Sequence, residues 1–322
     1  MEITDFLIIG GGIAGLICAT ELKAAGKSIW IVDKGRGPGG RMSTRRMLGG
    51  RLDHGAQYFT VRDECFRTYV DRWLSARIIR EWFCHLPCDT NSDGYPRYCG
   101  VSGMSDIPKL LAEGLSISLS EEVIELIRDV DCWVAKTASG KAFSGKHLIM
   151  TAPLPQSLAL LNSTGLDYAG DQQEALSKIQ YEKGLATLLV LDGPSGLNVP
   201  GGLKVADGPL TWIGDNQQKG ISPNVPTITL HANSAFADLH WDSPNELRGP
   251  LMIEAAASYL NANIIEYNCH RWGFTIAKKS WPEKSFHNPE LKLTLAGDAF
   301  GGPRVEGAAL SGMNAARNIL KI

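Results

Sequence analysis

Gly10, Gly12 and Gly15 set out G-x-G-x-x-G, and Asp33 follows 23 positions after Gly10. In dinucleotide binding each of these residue types has a physical task. Gly10 permits a tight turn, Gly12 lets backbone approach a pyrophosphate, and Gly15 lets a helix pack closely against a strand. The helix N-terminus, at Ile13 and Ala14, offers free N–H groups and a partial positive charge to phosphate oxygens. Asp33, followed by Lys34, can accept hydrogen bonds from a ribose diol. A lone glycine motif is a weak signal, but here strand, turn, helix, strand and acid fall in order.

Other stretches carry candidate chemistry. The loop KGRGPGGRMSTRR over 34–46 reads as a solvated basic loop or as a phosphate-facing one. In the second case Gly40 lets backbone press against a cofactor and Arg41 supplies the charge. Tyr95-Pro96-Arg97-Tyr98 is aromatic and basic, fit either to line a site or to form a sheet edge. Cys84, His85, Cys88 and Cys99 cluster loosely, but their spacing matches no common zinc finger, so reduced cysteines and no metal are expected. The seven histidines form no catalytic pattern. His231 could touch a substrate or sit satisfied in the core, and Trp212, Trp241, Trp272 and Trp281 read as core.

The elements that must position these residues follow from apolar runs and punctuation. Residues 6–9 and 28–32 read as buried parallel strands, with a helix over 14–25 capped by Gly26. Residues 57–60 read as a strand start after a turn at 53–55, followed by a helix over 64–74, a strand over 78–83 and a polar turn over 89–94. A short helix is expected over 105–115, then strands over 122–128, 132–137 and 147–151, and a helix over 155–161. Residues 181–281 read as a second domain, with strands over 185–191, 211–214 and 227–232 and a helix over 245–260. A strand over 291–296 and a helix of small residues over 306–320 close the chain, aiming a second helix N-terminus at the cofactor.

The chain has 322 residues, 44% hydrophobic and 20% charged, with a formal net charge of −2. Such a composition suits a globular protein of one large or two ordinary domains. Nothing in the charge favours nucleic acid or an anionic membrane surface. No apolar run approaches the length of a transmembrane helix. The N-terminus lacks a basic n-region, and Gly10-Gly11-Gly12 interrupt its apolar run, so no signal peptide and a cytoplasmic setting are expected.

The opening fingerprint, Gly39-Gly40-Arg41, and the closing Gly297-Asp298 with Val305-Glu306-Gly307-Ala308 resemble the FAD-dependent amine oxidase superfamily. The resemblance covers about 1–60 and 291–322. Within the superfamily, residues 53–60, the modest length and the closing PRVEGAALSG are most similar to the renalase family, above all its bacterial members. The resemblance implies an α/β protein with a Rossmann-type FAD domain and a smaller mixed α+β substrate domain, arranged as in p-hydroxybenzoate hydroxylase. The first would comprise 1–75, 100–160 and 285–322, the second 76–99 and 161–284. Contacts to FAD are implied for Gly10, Gly12, Ile13, Ala14, Gly15, Asp33, Lys34, Gly40 and Arg41. They are also implied for Gln57, Tyr58 and Val123, and for Gly297, Asp298, Val305, Glu306, Gly307 and Ala308 near the end. No cysteine follows Cys269, so the FAD is expected to be noncovalent.

Two departures from amine-oxidising relatives set the expected chemistry. Thr187 takes the place of a lysine that holds water at flavin N5, and Arg304 takes the place of an aromatic-cage tyrosine. An arginine repels an ammonium substrate and suits phosphate, carboxylate or carboxamide oxygen. The resemblance implies oxidation of off-pathway dihydronicotinamide isomers, with hydride on ring C2 or C6, to NAD(P)+. Oxygen then takes the electrons as hydrogen peroxide. A dihydropyridine expels hydride without losing a proton, so no catalytic side chain is required. Tyr58, Phe59, Thr60, Tyr95, Pro96, Arg97, Thr187 and Arg304 are the expected substrate contacts. A flavin amine oxidase, an NAD(P)H-dependent flavin monooxygenase and a flavin-holding scaffold without turnover remain the competing readings.

Overall fold

The computed structural model describes residues 3–86 and 93–321. Cys88 and most of the turn expected over 89–94 lie outside the described residues. The chain forms two compact units. One comprises Met1–Gly40, Pro108–Gln180 and Ile276–Ile322, the other Arg41–Ile107 and Tyr181–Thr275. Residues 41–75 and 100–107, expected with the first domain, cluster with the second unit. Their place follows from contacts such as the Thr229 hydroxyl donating to the Asp53 carbonyl at 3.0 Å.

The first unit is built on an eight-stranded sheet. Ile3–Ile9 runs parallel to Ile29–Val32 on one side and to Ala142–Met150 on the other. Leu293–Leu295 extends the parallel set beyond Ala142–Met150, and Ile117–Ser118 extends it beyond Ile29–Val32. Three antiparallel strands, Val123–Arg128, Trp133–Thr137 and Phe286–Asn288, complete it. Leu7, Ile8, Ile31, Leu148, Ile149, Leu293 and Leu295 are inaccessible to solvent, as expected for strands covered on both faces.

Two helices meet in this unit without side chains between them. Ile13–Ala24 carries Ala14 in its first turn, and Val305–Leu320 carries Gly312 two turns in. A Cβ on Gly312 would collide with the Ala14 carbonyl, and one on Gly15 would collide with that of Gly10. The small residues of the closing helix, Gly307, Ala308, Ala309, Ser311, Gly312, Ala315 and Ala316, form its buried face.

The second unit holds a five-stranded antiparallel sheet ordered Gly202–Lys204, Leu210–Asp215, Thr227–Ala232, Gly184–Leu191, Ile264–Trp272. One face packs against the helix Asn245–Ala256 through Leu185, Leu189, Leu230 and Met252. A hairpin, Thr44–Met47 with Gly50–Asp53, places Met47 and Leu52 in one cluster with Leu188 and Val190. It lies where the sequence read a loop. A smaller ladder joins Ile79–Phe83 to Arg97–Gly100. The strand expected over 57–60 is reduced to one bridge, Phe59 with Tyr98. Asp63 caps the helix Glu64–Ser75 by accepting from the Cys65 amide. Among the described residues no helix is long and apolar enough to cross a membrane.

Gly312→Ala tests the helix contact. A methyl group at that place must push the two helices apart, at a cost of about 1–3 kcal/mol. The expected outcome is a lower melting temperature. Equal or higher stability of Gly312→Ala would contradict the backbone-to-backbone packing.

Candidate functional site

The first unit presents a dinucleotide cradle. Gly12 is the N-cap of Ile13–Ala24 and supplies no side-chain cap. The first intrahelical bond runs from Leu16 N to the Gly12 carbonyl at 3.0 Å, which leaves the amides of the first turn for a ligand. A Cβ built on Gly12 meets nothing within 4 Å, so the space a side chain would fill stays open in front of them. Gly39 N donates to the Gly11 carbonyl at 2.8 Å, and Gly40 approaches Gly12 to 4.0 Å, measured from an ideal Cβ. The glycines of the second loop are thereby folded onto the first.

Asp33 has a double task. Its carboxylate accepts from Gly11 N at 2.5 Å and from Gly35 N at 2.6 Å, one bond to each oxygen. A carboxylate has about four acceptor positions, so each oxygen keeps capacity for a ribose hydroxyl. Ser120 N and Glu121 N donate to the carbonyls of Gly35 and Asp33, which brings Val123 to the same region. Glu121 accepts from Lys141, Ser139 and Thr137. Those bonds, the Lys141 one foremost, lower its pKa to about 2. Lys34 is exposed.

The closing residues build a second uncapped helix start. Gly297 N donates to the Ser311 hydroxyl at 2.8 Å, and buried Asp298 begins the short helix Asp298–Gly301. Arg304 is the extended N-cap of Val305–Leu320 and gives it no side-chain cap. Its own side chain is exposed. Gly307 packs against the carbonyls of Gly301 and Gly302, Glu306 is buried, and Ala308 N closes on the Arg304 carbonyl at 3.0 Å. Two bare helix N-termini, an open glycine and a ribose-type carboxylate fit a dinucleotide such as FAD.

The remaining expected contacts belong to the second unit. Arg41 donates to the carbonyls of Phe274 and Thr275 at 3.3 and 3.1 Å. Gln57 donates its amide to the carbonyls of Asp53 and Gly55 at 2.6 and 3.2 Å. Tyr58, half-buried, faces Phe83, Trp212 and Trp82 with ring centroids 5.5, 5.7 and 6.4 Å away. Phe59 is buried and exchanges both backbone bonds with Tyr98, and Thr60 is half-buried. Tyr95 is exposed beneath the Arg62 guanidinium, with half-buried Pro96 following it. Arg97 is buried and paired with Asp93 at 2.5 Å. Thr187 is not brought to this group. Its hydroxyl donates to Met252 Sδ at 3.1 Å, inside the core that faces the helix.

On the opposite sheet face, Trp212, His231, Ala186 and His270 form one row across four strands, since directly paired residues share a face. His54 stacks on Trp272 with centroids 5.2 Å apart, and the Trp272 indole donates to the His54 carbonyl at 2.9 Å. Burial pushes the His54 pKa from 6.5 to about 3, with His270, Arg45 and His231 adding to the effect. His231 and His270 are lowered to about 4, again chiefly by burial. His54 Nδ1, Gln57 Oε1, Trp212 Nε1 and His231 Nε2 are buried without a hydrogen-bond partner among the described residues. Leaving such a group unpaired costs about 1–3 kcal/mol, so four in one layer mark a place that a ligand or ordered water completes.

Trp212, read from the sequence as core, is buried at 6% exposure, whereas sequence reasoning missed His54 and, above all, Lys219. The lysine side chain is 1% exposed and pairs with Asp53 at 2.6 Å. Its sequence context, GDNQQKG, reads as a solvated turn and carries no signal of burial. Among the described residues no group of three or more His, Cys, Asp or Glu is placed to hold a metal ion.

Comparison with known proteins agrees with this geometry. A family described as NAD(P)-binding Rossmann-like domain matches residues 8–73, and one described as flavin containing amine oxidoreductase matches residues 84–320. Renalase of Mus musculus is 23% identical over 330 residues, covering 96% of this chain and 96% of that protein. A putative protoporphyrinogen oxidase from Exiguobacterium sp. 255-15 superposes with a TM-score of 0.76 at 12% identity, over 100% of both chains. Cyclohexylamine oxidase from Brevibacterium oxydans IH-35A does so with 0.75 at 12% identity, over 99% of each. At these identities the two structures show the shared fold.

Two outcomes are expected. Asp33→Ala removes the ribose acceptor and loosens the glycine loop, so FAD affinity should fall by about 1.5–3 kcal/mol, roughly 10- to 150-fold. Titration of apoprotein with FAD measures it, and an unchanged dissociation constant contradicts the assignment. The second concerns pH. His54, His231 and His270 stay neutral in the folded chain to about pH 3–4, whereas unfolded histidines protonate near 6.5. Their contribution to stability is therefore full above about pH 6.5 and is lost as pH falls from there toward 4. The melting temperature should drop between pH 7 and pH 5, and a level or rising value contradicts neutral burial.

Proposed function

The chain belongs to the flavin containing amine oxidoreductase family, and on that premise we propose that it is an FAD-dependent oxidase of dihydronicotinamide isomers. The donor would be NAD(P)H reduced at ring C2 or C6 instead of C4. Donor, oxygen and one proton give NAD(P)+ and hydrogen peroxide, with FAD held noncovalently. Bound FAD supplies the hydride acceptor and the two-electron route to oxygen. Likeness to renalase over nearly the whole chain supports the choice of substrate class.

The observation that carries the reading is the character of the layer around Ala186. It offers aromatic faces and hydrogen-bonding groups, and its imidazoles are too weakly basic to take a proton at neutral pH. A dihydropyridine needs no base, because it leaves as an aromatic cation once hydride is gone. It needs a ring to stack on and fixed polar partners for its carboxamide, and positioning then supplies most of the rate. Tyr58 is the stacking surface in this reading. Trp212 Nε1 donates and Gln57 Oε1 accepts, so together they complement a primary amide. For Arg304, of the first unit, the reading rests on its chemistry alone: a guanidinium suits a phosphate or carboxamide oxygen and repels ammonium.

A flavin-bleaching screen tests the proposal. Borohydride-reduced NAD+, which contains the 2- and 6-dihydro isomers, should bleach the bound flavin quickly, whereas amines should not. Because no side chain exchanges a proton, the limiting bleaching rate should stay level from pH 6 to 9. Arg304→Ala should raise the half-saturating donor concentration about 10- to 150-fold for one lost charge-assisted bond, with a smaller change in the limiting rate. Bleaching by amines and not by the isomers overturns the reading. Unchanged half-saturation in Arg304→Ala removes Arg304 from the site.

A further inference from the structure

We propose that Lys219 is a positioning residue, which from a fully buried place holds Gln57 and Tyr58 in the geometry that meets the hydride donor. The functional half of this statement rests on the role given above to Tyr58, and the structural half stands on geometry alone.

Lys219 starts from a rigid turn. Asp215 Oδ1 accepts from the amides of Gln217 and Gln218 at 2.8 and 2.9 Å, and its Oδ2 accepts from the Ser195 hydroxyl at 2.5 Å. Asn216 Nδ2 donates to Thr229 Oγ1 at 3.1 Å, and Lys219 N closes on the Asp215 carbonyl at 2.9 Å. The lysine backbone therefore cannot follow a wandering partner. Its ammonium donates to Asp53 Oδ2 at 2.6 Å and to the Gln57 carbonyl, and it lies 4.9 Å over the Trp82 ring. An ammonium has three donors, so one carboxylate oxygen, one backbone carbonyl and one aromatic face account for it.

The far side of the clamp is equally tied. Asp53 Oδ1 accepts from the Thr44 hydroxyl at 2.6 Å and from Met104 N at 2.9 Å. Gln57 Nε2 closes the 53–57 turn on the carbonyls of Asp53 and Gly55. Tyr58 sits between two anchors. After it, Phe59 exchanges backbone bonds with Tyr98 at 3.0 and 2.8 Å. Before it, the Gln57 carbonyl is held by Lys219. Without the lysine, the Gln57 carbonyl loses its bond, and the chain before Tyr58 keeps the Gln57 side-chain bonds to Asp53 and Gly55 and the Ala56 amide bond to the Arg41 carbonyl.

Stability alone does not call for this arrangement. A well-packed apolar pair of similar volume is often as stable as a buried ion pair. An apolar side chain cannot hold a backbone carbonyl, and that bond is what sets the Gln57 to Tyr58 backbone.

The test compares the parent holoenzyme with Lys219→Met/Asp53→Asn, which buries no unpaired charge and keeps an acceptor for Thr44 and Met104. Amide hydrogen exchange is read over 53–60, together with half-saturation and limiting rate of flavin bleaching by borohydride-reduced NAD+. If that donor fails on the parent, whichever donor bleaches it in the screen is used. Exchange over 53–60 should rise at least about ten-fold while the strand Thr227–Ala232 keeps its protection. Half-saturation should rise about ten-fold with the limiting rate changed less than about two-fold. Unchanged exchange over 53–60 overturns the clamp whatever the donor proves to be. Raised exchange with unchanged half-saturation overturns the positioning role. A double variant that does not fold assigns Lys219 to stability and also overturns it. A parent that no dihydronicotinamide isomer bleaches refutes the substrate class and leaves the exchange result to decide the clamp.

Discussion

The first and closing helices touch at bare backbone, Gly312 against the carbonyl of Ala14. Much of the first unit follows from that contact. Helices that meet this closely can bring their N-terminal turns near each other, and both N-termini here lack side-chain caps. An uncapped helix start in a buried setting is a cost unless something else supplies the acceptor. A pyrophosphate would do so in the proposed cradle, and the adjacent glycines would keep Cβ atoms out of its way. The same constraint explains the composition of the closing helix, whose buried face beyond Glu306 is made of Gly, Ala and Ser with Met313 as its one large apolar residue. Hydrophobic burial would favour leucine there, so close approach has taken precedence over area.

In the second unit a different balance holds. Lys219 and Asp53 are both inaccessible, and removing either alone would leave a buried charge at a cost of about 3–5 kcal/mol. The pair is tolerable because both carboxylate oxygens accept hydrogen bonds and the ammonium donates to two oxygens beside the Trp82 ring. Met104, Thr44 and Gln57 each bond to it, drawn from three stretches of chain. What results is a polar centre beneath an aromatic layer. It fixes irregular backbone over 53–58, which no extended ladder holds.

The opening strand, helix and acid were legible because each step has a residue type that few alternatives share. Most of the parallel strands and the closing helix were legible as apolar or small-residue runs, but Ile117–Ser118 was not read, and Ala142–Met150 starts well before the run expected over 147–151. Ile264–Trp272 was not, because it is an edge strand whose exposed positions include Ile265 and Tyr267, so the apolar alternation is broken. The hairpin over 44–53 was hidden by its turn. Leu48 and Gly49 both adopt positive φ, 44° and 81°, as a two-residue hairpin turn requires, but leucine is not the residue that announces such a turn. Thr187 was placed by its strand and not by its face. The period of two sends it into the core and leaves Ala186 in the row with His231 and His270. No local signal distinguishes a buried Lys219 from a solvated one, because its burial depends on Asp53, 166 positions away.

Electrostatics links these particulars to the proposed chemistry. Two cations of the second unit are paired with carboxylates, Lys219 with Asp53 and Arg97 with Asp93, while Arg45, held by the neutral Asn268 side-chain oxygen at 2.6 Å, keeps its charge beside His54 and His270. The carboxylates of those pairs are occupied for the same reason, so neither is spare to receive an ammonium ion. The three histidines stay neutral because burial makes their charged forms too costly. The layer thus presents fixed dipoles and aromatic faces, with Arg45 as a cation near His54 and His270 that disfavours a second cation there. Such surroundings differ in their effect on the two kinds of donor. An amine enters mostly as a cation and must shed a proton before it can be oxidised. A dihydronicotinamide ring is neutral and becomes cationic only as its hydride departs, so the aromatic faces that stack it in the ground state also favour the ring charge that develops.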